Sequence, residues 1–194
     1  LFDLRGSQSE AAQLLATRGE EDLALRRSGL AQRLHIFAAR DEQQVFGLEP
    51  DVVRAQLQSI TDDFEVAVAK TGMLHCAKVV EAVADHLKKR DIRLVLDPVI
   101  EAEAGGRLLS PEAVAALKIY LIPLAEVVTP NIFEARALTG VLVRDRDSAL
   151  IAAGKILDMG AKAVIVKGGH LDCTDLLATG ELSLFLPGER IPGE

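Results

Sequence analysis

Four short apolar runs rich in β-branched residues, separated by stretches of helical periodicity, constrain the fold of this chain more than anything else in it. Readable strands fall at residues 64–69, 92–96, 126–128 and 163–166, with a weaker one at 34–38. Between them, "AKVVEAVADHLKKR" sets Val79, Val80, Val83, Ala84 and Leu87 on one stripe and turns Glu81, Asp85 and Lys88 outward. That is the pattern of a helix lying on a sheet. "PDVVRAQLQSITDDF", "SPEAVAALKIYL" with Ser110 as N-cap and Pro111 in the first turn, and "DRDSALIAAGKILDMGA" stopping at Gly160 predict further crossover helices. Strands alternating with helices predict an α/β fold built on a mostly parallel sheet flanked by helices. The end of the chain breaks the rhythm: "DLLATGELSLF" is two short runs interrupted at Thr179-Gly180, which predicts a C-terminal hairpin. The 194 residues are read as a single domain spanning residues 1–194.

Charge and cysteine usage narrow the function classes. A net charge of −7 argues against a basic surface that tracks nucleic acid or anionic lipid, and leaves small molecules as the expected partners. No apolar run is long enough to span a bilayer, and "LFDLRGSQSE" lacks the order of a signal peptide, so a cytoplasmic protein is expected. Cys76 and Cys173 lie far apart without CxxC spacing and are read as reduced thiols. The stretch "SEAAQLLATRGEEDLALRRSGLAQRL" reads as helix interrupted near Gly19 and Gly29 and carries little visible chemistry.

The chemistry gathers at strand ends, where open parallel sheets collect their ligands. In "LVLDPVIEAEAGG" the strand delivers Asp97, and Pro98 stops the ladder. An acid there suits a magnesium ion or the water around one, or is a turn aspartate. "VVTPNIFEARALTG" offers Thr129, Asn131 and Glu134. Asn131 followed three residues later by Glu134 fits a capping box, yet the same pair also directs an amide and a carboxylate towards the crevice above the sheet. "AVIVKGGHLD" brings Lys167, a point charge for phosphate oxygens, to Gly168-Gly169, where backbone N–H groups can approach an anion. An ordinary turn is the plain alternative, and His170 reads as a structural histidine. In "KTGML", Gly72 turns the chain and Met73 packs either on a flat ring or in the core.

"VRAQL", "KTGML", "LVLDPV", "LLSPEAV", "VVTPNIFEARALTG", "GAKAVIVKGGHL" and "RIPG", in this order, resemble the hydroxymethylpyrimidine and hydroxymethylpyrimidine-phosphate kinases of thiamin biosynthesis, within the ribokinase-like superfamily, over about residues 45 to 193. Pyridoxal kinases share parts of the pattern. The resemblance implies a doubly wound sheet, a homodimer, and transfer of the γ-phosphoryl of ATP, with Mg2+, to the hydroxymethyl group of a pyrimidine and then to the resulting phosphate. It implies that Lys167, with Thr129, Gly168 and Gly169, lies along the nucleotide phosphates. Asn131 and Glu134 would organise magnesium and the γ-phosphate, and Asp97 would support the same cluster as a catalytic and metal-binding residue. Met73 and Val99 would wall the pyrimidine, and Gly6 in "RGSQS" would match the glycine of the family's "AGSDS" loop. Arg40 in "AARDE" stands where the family's "TAQNT" offers a glutamine, which favours an acceptor already carrying phosphate. The family's "GGAG" stretch reads "EAAQLLATRGEED" here. Its "GTGC" turn, which forms the anion hole and carries the base, is expected outside residues 1–194. A non-catalytic nucleotide-binding or regulatory module stands as the alternative to the kinase.

Overall fold

A computed structural model describes residues 47–101, 108–168 and 172–189. The expected strand at 34–38, the interrupted N-terminal helix, and Gly6, Arg40, Gly169 and His170 lie outside the described residues. The elements are α1 (Pro50–Asp63), β1 (Val68–Thr71), α2 (Ala77–Arg90), β2 (Arg93–Leu96), α3 (Pro111–Ala116), β3 (Ala125–Val128), α4 (Ile132–Thr139), α5 (Arg146–Asp158), β4 (Ala163–Val166), β5 (Thr174–Thr179) and β6 (Ser183–Pro187). The described strands form one sheet in the order β1-β2-β3-β4-β5-β6. β1 to β4 are parallel, and β5 and β6 join antiparallel. The α/β fold, the mostly parallel sheet and the terminal hairpin are as the sequence predicts. Among the described residues the strands add in one direction.

Two elements depart from the sequence reading. The first strand begins at Val68 rather than 64, because α1 runs to Asp63 and the Phe64 N–H still donates to the Ile60 carbonyl (2.9 Å). The strand consequently runs on through Lys70 and Thr71. The helix expected over residues 110–121 is regular only to Ala116; Leu117–Leu121 widens and Ile122–Leu124 tightens before β3. Pro123 explains the change: it has no N–H for the Ile119 carbonyl and its ring crowds that oxygen.

The register divides the sheet into two unlike faces. Thr71, Leu96, Val128 and Val164 are neighbours across the strands, as are Lys70, Val95, Val127 and Ala163. The first row belongs to the core: Leu94, Leu96, Val128, Val164 and Val166 are all fully buried. Val80 and Ala84 of α2, and Ala149, Ala152, Ala153 and Ile156 of α5, are buried with them in the same core. Such burial is the main favourable term in folding, at about 25 cal/mol per Å² of apolar surface. The second row is half-buried or exposed. Because side chains alternate along a strand, Lys70, Asp97 and Thr129 leave the sheet on this second face, at its carboxyl edge.

Candidate active site

Asp97 follows β2, and its amide donates to the Thr71 carbonyl (3.3 Å), extending the ladder by one bond before Pro98 ends it. Two lysines hold its carboxylate. Lys167 Nζ donates to Oδ1 (3.1 Å) and Lys70 Nζ to Oδ2 (3.0 Å). Asp97 is about one-fifth exposed, whereas Lys167 and Lys70 are 43% and 60% exposed. Burial alone pushes the Asp97 carboxyl up, but hydrogen bonds from Lys70 and Lys167, with their charges, outweigh it and leave the carboxyl below its ordinary range. Asp97 is therefore a carboxylate at neutral pH.

Helix α4 supplies the second acid. Asn131 Oδ1 accepts from the Phe133 and Glu134 amides (both 2.9 Å), and Glu134 Oε2 accepts from the Asn131 amide (2.7 Å). The capping box is thus complete, and the local reading of "PNIFE" is satisfied. It does not exhaust Glu134. This side chain is only 4% exposed, and Oε2 lies 3.9 Å from Lys167 Nζ. Desolvation pushes its carboxyl up, against the hydrogen bond from the Asn131 amide, the Lys167 charge and a backbone hydrogen bond from Ile100. Asn131 and Lys167 also face each other as an isolated parallel bridge, the Lys167 amide donating to the Pro130 carbonyl (2.8 Å). The backbone thereby fixes how far Lys167 stands from the start of α4.

The structure thus brings Asp97, Asn131, Glu134 and Lys167 together, with Thr129 at the same edge through its amide bond to the Leu96 carbonyl (2.9 Å). Gly168 is placed beside them, but its amide donates to Asp175 Oδ1 (2.7 Å), and a Cβ there would lie 1.6 Å from the Thr174 carbonyl oxygen. The glycine at this position is demanded by the crossing into β5. Met73 is part-buried and packs against the hydrophobic core, which is the plain reading of that residue. Val99 is half-buried in the tight turn after Asp97, its amide donating to the Asp97 carbonyl (2.9 Å). Gly6, Arg40 and Gly169 lie outside the described residues.

Lys70 is the member that the motif reading missed. It stands just before the Gly72 turn of "KTGML", and only the true position of β1 aims it at Asp97. The signal available was the parallel with "VKGG": a lysine at the end of a β-strand, followed by glycine.

Among the described residues no three His, Cys, Asp or Glu side chains cluster as a ready-made metal cage. A magnesium ion keeps several waters and draws further ligands from phosphates, so it needs only one or two protein carboxylates. Asp97 and the buried Glu134, both hard oxygen donors beside Lys167, fit that requirement.

A phosphomethylpyrimidine kinase profile matches residues 35–194. The chain belongs to the phosphomethylpyrimidine kinase family. It is 46% identical over 136 residues to a hydroxymethylpyrimidine/phosphomethylpyrimidine kinase of Haemophilus influenzae, covering 68% of this chain and 51% of the relative. With the Streptomyces coelicolor enzyme of the same name it shares 38% identity over 173 residues, 87% of this chain and 64% of the relative. The chain therefore spans about half to two-thirds of the length of these relatives. A solved phosphomethylpyrimidine kinase from Clostridium difficile superposes with a TM-score of 0.69 at 34% identity, covering 78% of this chain and 68% of that one. An ADP complex of Bacillus subtilis pyridoxal kinase gives 0.71 at 38% identity, over 77% of this chain and 58% of that one. These family matches carry the ribokinase-like fold expected from the sequence. No helix among the described residues is long and apolar enough to cross a membrane.

Proposed function

We propose that this protein is an ATP-dependent phosphotransferase acting on hydroxymethylpyrimidine, its monophosphate, or both. The observation that carries the reading is the joint placement of Lys167 on Asp97 (3.1 Å) and beside the buried Glu134 (3.9 Å) at the carboxyl edge of the parallel strands, in a chain of this family. In phosphoryl transfer the protein contributes mainly positioning and charge neutralisation. The Lys167 ammonium has three donors; one serves Asp97, and the others meet the phosphate oxygens of the nucleotide. Asp97 keeps Lys167 extended into the crevice. Glu134, anchored by the Asn131 amide, holds the start of α4 at a fixed distance from that ammonium. Asp97 and Glu134 would hold a magnesium ion, which when bound would supply positive charge against the phosphates. That a related pyridoxal kinase was crystallised as an ADP complex supports the nucleotide assignment.

A homodimer fits β6, the last strand in the described sheet, where Leu184 and Leu186, with Leu182 just before it, are exposed. Light scattering that reports only monomer at high micromolar concentration rejects the dimer.

Calorimetric titration with magnesium-ATP tests the central reading. The unaltered protein is expected to bind, and an absence of heat and of thermal shift at millimolar nucleotide overturns the assignment. Transfer itself is to be measured by coupled assay on the full-length gene product, with hydroxymethylpyrimidine and its monophosphate supplied in turn.

A further inference from the structure

Asp97 has two oxygens, and each is taken by a lysine from a different strand. Lys167 comes from the end of β4, next to the start of α4. Lys70 comes from β1, three strands away in the order β1-β2-β3-β4. Both leave the sheet at the same edge, but Lys167 lies beside Glu134 at the start of α4 (3.9 Å), whereas Lys70 stands on β1 just before the Gly72 turn. The second is the more exposed, at 60%, and among the described residues its one contact besides Asp97 is a long one to the Thr71 carbonyl (3.5 Å). An ammonium carries three donors, so Lys70 presents N–H groups to the crevice on the side away from α4.

We infer that Lys70 is a specificity-determining residue that binds the monophosphate of an acceptor already phosphorylated once, while Lys167 serves the nucleotide. The inference rests on the phosphotransferase reading above. Asp97 without Lys70 would repel such an anion; with Lys70 on Oδ2, that flank of the carboxylate is neutralised and offers donors. An exposed ion pair alone contributes little to stability, which leaves ligand recognition as the work of this lysine. An uncharged acceptor gains nothing from it. The two acceptors of one enzyme are therefore separated by this side chain.

Calorimetric titration of hydroxymethylpyrimidine and of its monophosphate, each with magnesium-ADP present, tests the inference on the unaltered protein and on Lys70→Met and Lys70→Arg. Lys70→Met is expected to weaken the monophosphate about tenfold more than the unphosphorylated pyrimidine, the scale of a lost charge-assisted contact. Lys70→Arg is expected to recover most of that selectivity. Equal weakening of both acceptors, unchanged binding of both, or a loss that falls on magnesium-ADP instead overturns it. If the unaltered protein binds magnesium-ADP but not the monophosphate, the role of Lys70 fails and the nucleotide assignment stands. If it binds no nucleotide either, the phosphotransferase reading fails first and this inference with it.

Discussion

Helix α4 starts with Asn131 and Glu134, helix α5 with Asp145 and Ser148, and both pairs close a reciprocal capping box. In α5 the box is at the surface: Asp145 Oδ1 accepts from the Ser148 amide (2.8 Å), and hydrogen bonds from the Ser148 side chain and amide hold its carboxyl below the ordinary range. In α4 the acid is Glu134, at the third helical position rather than at the cap, and burial pushes its carboxyl up. At the start of α5, the Arg144 charge also favours the Asp145 carboxylate, and Arg146 lies 5.0 Å from the Phe185 ring centroid. Beside α4 stands Lys167, already tied to Asp97. A capping box is a local device and says nothing of chemistry. Desolvation, and a cation shared with a second carboxylate, are what separate one helix start from the other.

The largest test of that separation is Lys167→Met. Nucleotide affinity is expected to fall about 10- to 100-fold, the range for a charge-assisted phosphate contact, while Arg146→Met leaves it unchanged. Equal losses in the two variants, read by calorimetry, would erase the distinction.

Next comes Glu134→Ala, which strips the Asn131 amide of its acceptor inside the protein. The expected cost is about 1–3 kcal/mol, seen as a lower urea midpoint with unchanged slope. Asp145→Ala is expected to lower the midpoint by less than half as much, because water replaces the lost acceptor at an exposed cap.

pH sharpens the contrast, because the two carboxyls shift in opposite directions. Glu134 is raised in the folded state, so its contribution is fully present below the ordinary glutamate range and is lost as pH rises through the raised value. Glu134→Gln should therefore gain stability relative to the unaltered protein as pH rises above the ordinary glutamate range. Asp145 is lowered, so its contribution is present above the ordinary aspartate range and is lost as pH falls through the folded value. Asp145→Asn, which keeps a capping oxygen, should flatten only that acid limb, the smallest of these effects. Parallel pH profiles for the two variants, by urea or thermal unfolding, would contradict the assignment.

Local pattern carried most of the architecture. Val79 to Leu87 at helical spacing marked α2, Ser110-Pro111 marked the start of α3, Asn131 and Glu134 marked the start of α4, and Thr179-Gly180 marked the hairpin, because each signal is contained in neighbouring residues. The limits of β1 were not legible in this way. Phe64 and Val66 look like strand, but the last turn of α1 holds the chain until Asp63 and delays the sheet to Val68. That delay concealed Lys70, whose meaning depends on a carboxylate 27 residues away. Gly168 was legible as a glycine at a strand end, and its cause was not: the Thr174 carbonyl that forbids a Cβ there arrives only with β5.

By itself, then, the sequence determined the alternation of strands and helices, the caps, and which polar residues sit at strand ends. Periodicity and capping act over a few residues and are written directly in their order. The tertiary structure alone decided that Asp97 is shared by Lys70 and Lys167, and that Glu134 is buried beside the second of them. Both follow from the side-by-side register of β1, β2, β3 and β4, which brings together residues far apart in the chain. Desolvation and charge act through space, so the chemistry of the site exists only once the sheet has formed.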